Sequence, residues 1–327
     1  MSYSLIPSAD YKAICDAIRA KTGKTDLIKS GDMATEIMCI GLPPIGTSLE
    51  DCTWEQISAI SASGMAAKYF SVGDTKSVHL KGTVGTLELD TTLYVYILGF
   101  DHNSEVEGKG ITFGTFKTAD GVDVALVDSG YGSSFTDGTK YFNMNHWGDF
   151  NKGGWAGCDM RYDILGSTDK APSGYGAAKT TSVVGYDPSI TCATNPVANT
   201  LMAALPSDLR AVMKLMTKYT NNTGNSADTE AKVTVTTDYL PLLAEFEIFG
   251  ARKYANSYEQ NKQKQYDYYA AGNKVKYRHS STGSTALWWE RSAYYGDSYT
   301  FCDVYASGKA NTNYANLASG VAPIFLV

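Results

Sequence analysis

Residues 288–325 read WWERSAYYGDSYTFCDVYASGKANTNYANLASGVAPIF. Both ends are strongly apolar, and the spacing predicts strands around Trp288, Cys302 and Phe325. Between them Tyr294, Tyr295, Asp297, Ser298, Tyr299, Tyr305, Asn311, Asn313, Tyr314 and Asn316 interleave with small residues, and no period assigns them one buried face. Tyr supplies large rigid contact area at small entropic cost, while Ser and Asn supply adaptable hydrogen bonds. A segment of this composition, framed by apolar strands, is expected to be a ligand-binding surface held outward by a fixed scaffold. The competing expectation is a loop-rich sheet whose tyrosines simply face solvent.

Working outward, the 327 residues are enough for one large domain or two ordinary ones. A hydrophobic fraction of 43% with 19% charged residues describes a folding chain rather than a disordered one. The net charge of -6, with no basic run, argues against nucleic acid as a partner. The start, MSYSLIPSADYK, lacks the features of a secretory signal, and the longest apolar run, Leu93 to Phe100, is too short to span a bilayer. The expectation is a product made in the cytoplasm, without membrane insertion. Cys15, Cys39, Cys52, Cys158, Cys192 and Cys302 are scattered with no C-x-x-C pair, so they are expected to be reduced and mostly buried.

Tyr11, Ile14, Cys15 and Ile18 share one helical face, with Ser8 as N-cap and Gly23 past the end; a second helix is predicted over 32–40. GLPPIGTS reads as a linker, which places a boundary near residue 46: a helical attachment or oligomerisation segment over 1–45 and one domain over 46–327. In that domain KYFSVGDTKSVHL, TLYVYILGF, GITFGTF and GVDVALV read as strands, and 137–195 as long ordered loops. LPSDLRAVMKLMTKYT reads as a helix on Leu209, Val212, Met213 and Met216, followed by a strand over Val233 to Thr237. The order predicts an α+β fold with a mainly antiparallel sheet.

Catalytic and cofactor motifs fail. Gly23-Lys24-Thr25 lacks the upstream glycine of a phosphate loop, since Ile18 stands there, and neither G-x-G-x-x-G nor G-x-S-x-G occurs. His79, His102, His146 and His279 lie on different elements without paired spacing. Asp101, Asn103 and Glu105 offer alternating oxygens, but the glycine comes at Gly108 instead of two residues earlier, so no metal is expected. Glu245 and Glu247 are expected to share a strand face and to pair with Arg161 or Arg291 rather than act as acid and base. No catalytic residue and no cofactor are expected.

The motifs GGWAGCDMR (153–161), LPSDLRAVMK (205–214), LLAEFEIFG (242–250), QYDYY (265–269), WWERS (288–292) and GVAPIF (320–325) resemble phage and prophage proteins with a C-type-lectin-like domain, a fold related to the formylglycine-generating enzymes. The likeness covers about residue 50 to the end. The first forty residues separately resemble the amino-terminal segment of tail proteins from phages of Gram-positive hosts. Together these imply a tail-fibre or receptor-binding protein of a virion. Its partners would be a bacterial surface protein or glycan, other tail proteins through the N-terminal helices, and further copies of itself. Some members of the lectin-like group are rewritten by diversity-generating retroelements at Asn-derived codons, which implies that the ten residues named above form a variable site. Ala322 stands where many relatives carry Arg. The resemblance also implies two alternatives: a purely structural virion component, and an oxidase on the same fold. The oxidase needs a cysteine pair, and only Cys302 follows Cys192.

Overall fold

A computed structural model describes residues 8–22, 25–29, 33, 48–167, 191–226, 228–272 and 274–327. The helix predicted over 32–40, apart from Met33, the linker and the boundary near 46 lie outside the described residues. The chain divides into two compact units, Met1–Ser71 and Val72–Val327.

In the first unit α1 (Ser8–Thr22) buries Cys15 and Ile18 against Ile28, with Tyr11, Ile14 and Met33 packed around them. This is the face that the helical spacing predicted. The helix α2 (Trp54–Ala62) stands in a stretch that carried no helix expectation. Thr53 caps it: Gln56 N donates to Thr53 Oγ1 at 3.2 Å, and Thr53 N donates to Gln56 Oε1 at 2.7 Å. Trp54, Ile57 and Ile60 form its buried stripe, and the short α3 (Ala66–Tyr69) follows.

Among the described residues the second unit mixes short helices with four small sheets, whose strands pair antiparallel with one exception. β1 (Thr75–Val84) and β2 (Leu87–Phe100) form a hairpin registered from Thr75↔Tyr96 to Val84↔Leu87. Its turn needs Gly85, which has φ +55° and would carry a Cβ 2.2 Å from the Lys140 carbonyl oxygen. β3 (Ile111–Lys117) joins β2, and the last strand of the chain pairs with β3. Before β3 runs the single turn α4 (Ser104–Glu107), and after it the two-residue β4 (Val124–Ala125). Of the stretch read as loops over 137–195, residues 168–190 lie outside the described residues; over 137–167 it is irregular as expected, broken by α5 (Gly154–Gly157) and a π-helical turn over Met160–Ile164.

After α6 (Leu201–Ala204) the helix predicted over 205–220 shrinks to α7 (Ser207–Val212), because Met213 turns extended (ψ 140°) and the chain enters β5 (Met216–Asn221). Met216, Lys218 and Thr220 alternate inward there, and β6 (Val233–Asp238) pairs with every residue of β5. Two-residue alternation and β-forming Thr217, Tyr219 and Thr220 outweigh the helical spacing of the upstream methionines. Glu245 and Glu247 lie on a helix, α8 (Glu245–Phe249), not on a strand; α9 (Asp267–Ala271) follows. Next come β7 (Lys276–Arg278), β8 (Ser281–Ala286), β9 (Trp288–Ala293), β10 (Thr300–Val304), β11 (Ala310–Tyr314) and β12 (Ile324–Leu326).

The core gathers Tyr96 and Leu98, Met216, Leu243 and Ile248, Tyr266 and Tyr269, Trp288, Val304, Ile324 and Leu326. A chain of buried charges runs beside it. Arg291 donates from its terminal nitrogens to Glu247 Oε2 at 2.5 Å and Oε1 at 2.8 Å, to the Leu242 carbonyl at 2.8 Å, and from Nε to Thr220 Oγ1 at 2.8 Å. Lys218 Nζ lies 2.9 Å from both Glu247 and Glu107. Burial raises the Glu247 carboxyl, yet Arg291 and Lys218 hold it far below the usual carboxylate range. Of the two arginines considered as partners, Arg291 takes Glu247, while Arg161 pairs with Asp238 at 2.6 Å. Arg291→Leu therefore leaves the buried Glu247 carboxylate with Lys218 as its remaining cation and should destabilise the second unit by about 3–5 kcal/mol. Adding Glu247→Leu should recover part of the loss, and a denaturation midpoint unmoved by Arg291→Leu would contradict this role.

Candidate functional site

The polar-aromatic segment forms a small sheet in the order β11-β10-β9, registered between β10 and β11 from Thr300↔Tyr314 to Val304↔Ala310. The ladder continues past both strand ends: Ala315 N donates to the Tyr299 carbonyl at 2.9 Å, and Tyr305 N to the Lys309 carbonyl at 2.8 Å. Strand alternation then sets Tyr299, Asp303 and Tyr305 on the same face as Asn311 and Asn313, with Tyr314 on the other face beside Cys302. Tyr305 lies six residue steps beyond Tyr299, about 20 Å of strand.

The ten residues singled out from the sequence fall into distinct settings. Tyr299, Tyr305 and Tyr314 are 50%, 51% and 56% exposed. Tyr294 and Tyr295 are half-buried and meet edge-on with centroids 5.3 Å apart. Tyr254 joins them, 5.6 Å from Tyr294, and the Arg252 guanidinium lies 4.2 Å over the Tyr295 ring. Asp297 is engaged by the turn between β9 and β10, where Oδ1 accepts from Tyr299 N at 2.8 Å and Thr300 N at 2.9 Å. The Ser298 carbonyl accepts from Asn151 N, and Asn151 Nδ2 donates to the Thr300 carbonyl at 2.9 Å, so this turn is pinned from a distant loop. Asn316 is buried; its carbonyl accepts from Phe135 N and Asn143 Nδ2. The sheet therefore brings together Tyr299, Asn313, Asn311 and Tyr305, while Tyr294 and Tyr295 belong to a separate aromatic patch.

Three partners of these groups escaped sequence reasoning. Tyr254 and Arg252 come from forty residues upstream, and no local spacing links them to Tyr294. Their loop is fixed by the buried Glu245 carboxylate, which accepts from the backbone N–H groups of Lys253, Tyr254 and Ala255 at 2.8–3.0 Å. The third is Asp303. Asn311 Nδ2 donates to its Oδ1 at 2.9 Å, and Asn313 Nδ2 donates to its Oδ2.

Behind the hairpin the interior is acidic. Glu290 is fully buried and neither carboxylate oxygen finds a hydrogen-bond partner among the described residues. Burial, then Glu245, Asp303 and Glu259, push its carboxyl far up, so it rests neutral. Glu259 differs in accepting from Asn221 N at 2.8 Å and Ser292 Oγ at 2.7 Å. Burial and the same carboxylates push the Cys302 thiol far up, which disfavours its thiolate. Among the described residues no group of His, Cys, Asp and Glu is arranged to hold a metal ion.

A family model described as a domain of unknown function (DUF6273) matches residues 138–327, a stretch that contains the whole β9-β10-β11 sheet. No curated protein and no solved structure matches the chain.

The raised Glu290 carboxyl has a pH signature. A carboxyl that is harder to ionise when folded contributes its stability below the unfolded value of about 4.3 and loses it as pH rises. Glu290→Gln should thus raise the melting temperature at pH 7–8 by about 2–4 °C for each kcal/mol recovered. The gain should shrink as the pH approaches 4. Equal melting temperatures for the two proteins across pH 4–8 would show that Glu290 is not held neutral.

Proposed function

This chain belongs to the DUF6273 family, and on that premise we propose that its second unit is the ligand-recognition domain of a phage or prophage tail protein. In this reading the fold is C-type-lectin-like and the hairpin face of Tyr299, Asn313, Asn311 and Tyr305 meets a bacterial surface ligand. The α1 helix and its neighbours attach the protein to the tail or to further copies of itself.

One observation carries the reading. Two half-exposed tyrosines bracket two carboxamides on a hairpin that buried polar contacts hold rigid from below and from the side. Rigid aromatic contact area with hydrogen-bonding groups between is the composition that recognition surfaces use. The mixed α+β architecture with mostly antiparallel strands is compatible with the lectin-like assignment, which rests on the motif set between Gly153 and Phe325. The burial of the Cys302 thiol among carboxylates supports recognition over the oxidase alternative.

Labelled protein applied to a panel of intact Gram-positive cells tests the reading. The variant carrying Tyr299→Ala and Tyr305→Ala should bind at least tenfold more weakly than the parent. Its stability should stay close to the parent's, because each exposed change is worth about 0.5 kcal/mol or less. Binding equal to the parent's on every cell that the parent recognises would reject the hairpin as the recognition face and favour a purely structural virion role.

A further inference from the structure

The carboxamides of Asn311 and Asn313 are oriented by a single buried carboxylate. Asp303 is shut away from solvent at the centre of the hairpin, and each of its oxygens takes one N–H from one of the two asparagines. A carboxylate accepts and cannot donate, so both side chains must turn their nitrogens inward. Asn311 Nδ2 also donates to the Thr312 carbonyl at 3.2 Å. Neither Oδ1 takes a hydrogen bond from the described residues, and both asparagines are partly exposed. Two carbonyl oxygens are thus left facing outward from alternate positions of one strand, about 7 Å apart along β11.

We infer that Asp303 is a positioning residue that fixes Asn311 and Asn313 as a pair of outward acceptors, which makes the hairpin face a reader of hydroxyl donors on a saccharide. This deepens the recognition reading above and rests on it. A saccharide suits both halves of the face: its hydroxyls donate to the two carbonyl oxygens, and its C–H faces lie against the phenol rings of Tyr299 and Tyr305 at either end.

The same geometry makes the pair sensitive to pH. A protonated Asp303 carries an O–H that must donate, and a flip of one asparagine, bringing its oxygen inward, satisfies it. That flip turns an outward acceptor into an outward donor. Burial pushes the Asp303 carboxyl up, against the pull of Asn313 and Asn311, to about 7. The other titratable groups that feel its charge are Glu290 on β9 and Cys302 beside it on β10. Both are kept protonated by burial, so neither competes for the switch. No lysine or arginine pairs with Asp303 among the described residues.

The test uses the full chain in two measurements. In the first, the side-chain 15N and 1H signals of Asn311 and Asn313 are followed from pH 5 to 9. They should move together with the 13C carboxyl signal of Asp303, and should be flat in Asp303→Asn; asparagine signals that ignore an Asp303 titration overturn the inference. In the second, parent, Asp303→Asn and Asn311→Ala/Asn313→Ala are applied to a printed panel of bacterial cell-wall oligosaccharides at pH 6 and pH 8. The parent should bind at least fivefold more tightly at pH 8. Asp303→Asn should lose that difference and bind at pH 8 as the parent does at pH 6, and the double alanine variant should lose binding. A parent that binds saccharides equally at both pH values, or binds cells through Tyr299 and Tyr305 but no saccharide, overturns the inference and leaves the recognition face standing. Cell binding indifferent to those tyrosines removes the face itself.

Discussion

The bidentate pair between Arg291 and Glu247 is the constraint on which the rest of the second unit hangs. Arg291 sits in β9, the strand that leads into the hairpin, and its four hydrogen bonds reach α8, the Leu242 carbonyl and Thr220 of β5. Glu247 also holds Lys218, and Lys218 holds Glu107 at the end of α4. Segments from four parts of the chain are thereby fixed to the same few oxygens. Charges buried this deeply are tolerable only while every partner is present, so they act less as a reserve of stability than as a demand for one arrangement.

That arrangement explains how a polar, small-residue stretch can be well ordered. The hairpin has little apolar surface of its own outside Phe301, Cys302 and Val304. It is held instead from its margins, by Asn151 under the turn, by the Asp297 carboxylate inside the turn, and by β9 along one side. The aromatic patch of Tyr254, Tyr294 and Tyr295 is fixed in the same manner, through three backbone N–H groups on Glu245. Buried carboxylates do in this molecule what a larger apolar core does elsewhere.

Much of the fold was legible because strands announce themselves by alternation and composition. The stretches at 92–100, 110–116 and 233–237 carry that signature and fall within or against β2, β3 and β6. The α2 helix could have been read from Thr53 and Gln56 alone, a capping pair before an apolar triplet. The helix expected over 205–220 failed because the spacing of Leu209, Met213 and Met216 fits a helix, while the pairing partner that makes 216–221 a strand lies beyond a loop. The site divided in the same way. Exposure of Tyr299, Tyr305 and Tyr314 follows from composition and framing. The burial of Asn316, the turn role of Asp297 and the hold of Asp303 on two asparagines depend on cross-strand register, which no local pattern in residues 288–325 encodes.

β11 has a hydrogen-bonded strand on one side only, and its five side chains are all at least partly open to solvent, whereas every residue of β10 is buried. Adjacent rungs of the same ladder are therefore under opposite pressures. A new side chain at Ala310, Thr312 or Tyr314 of β11 meets solvent, whereas Asn311 and Asn313 are tied to the buried Asp303 and one on β10 must fit a closed space bounded by carboxylates. Substitution at the three β11 positions not tied to Asp303 therefore carries little toll on folding, and β10 sets the limit on how far the surface can be altered.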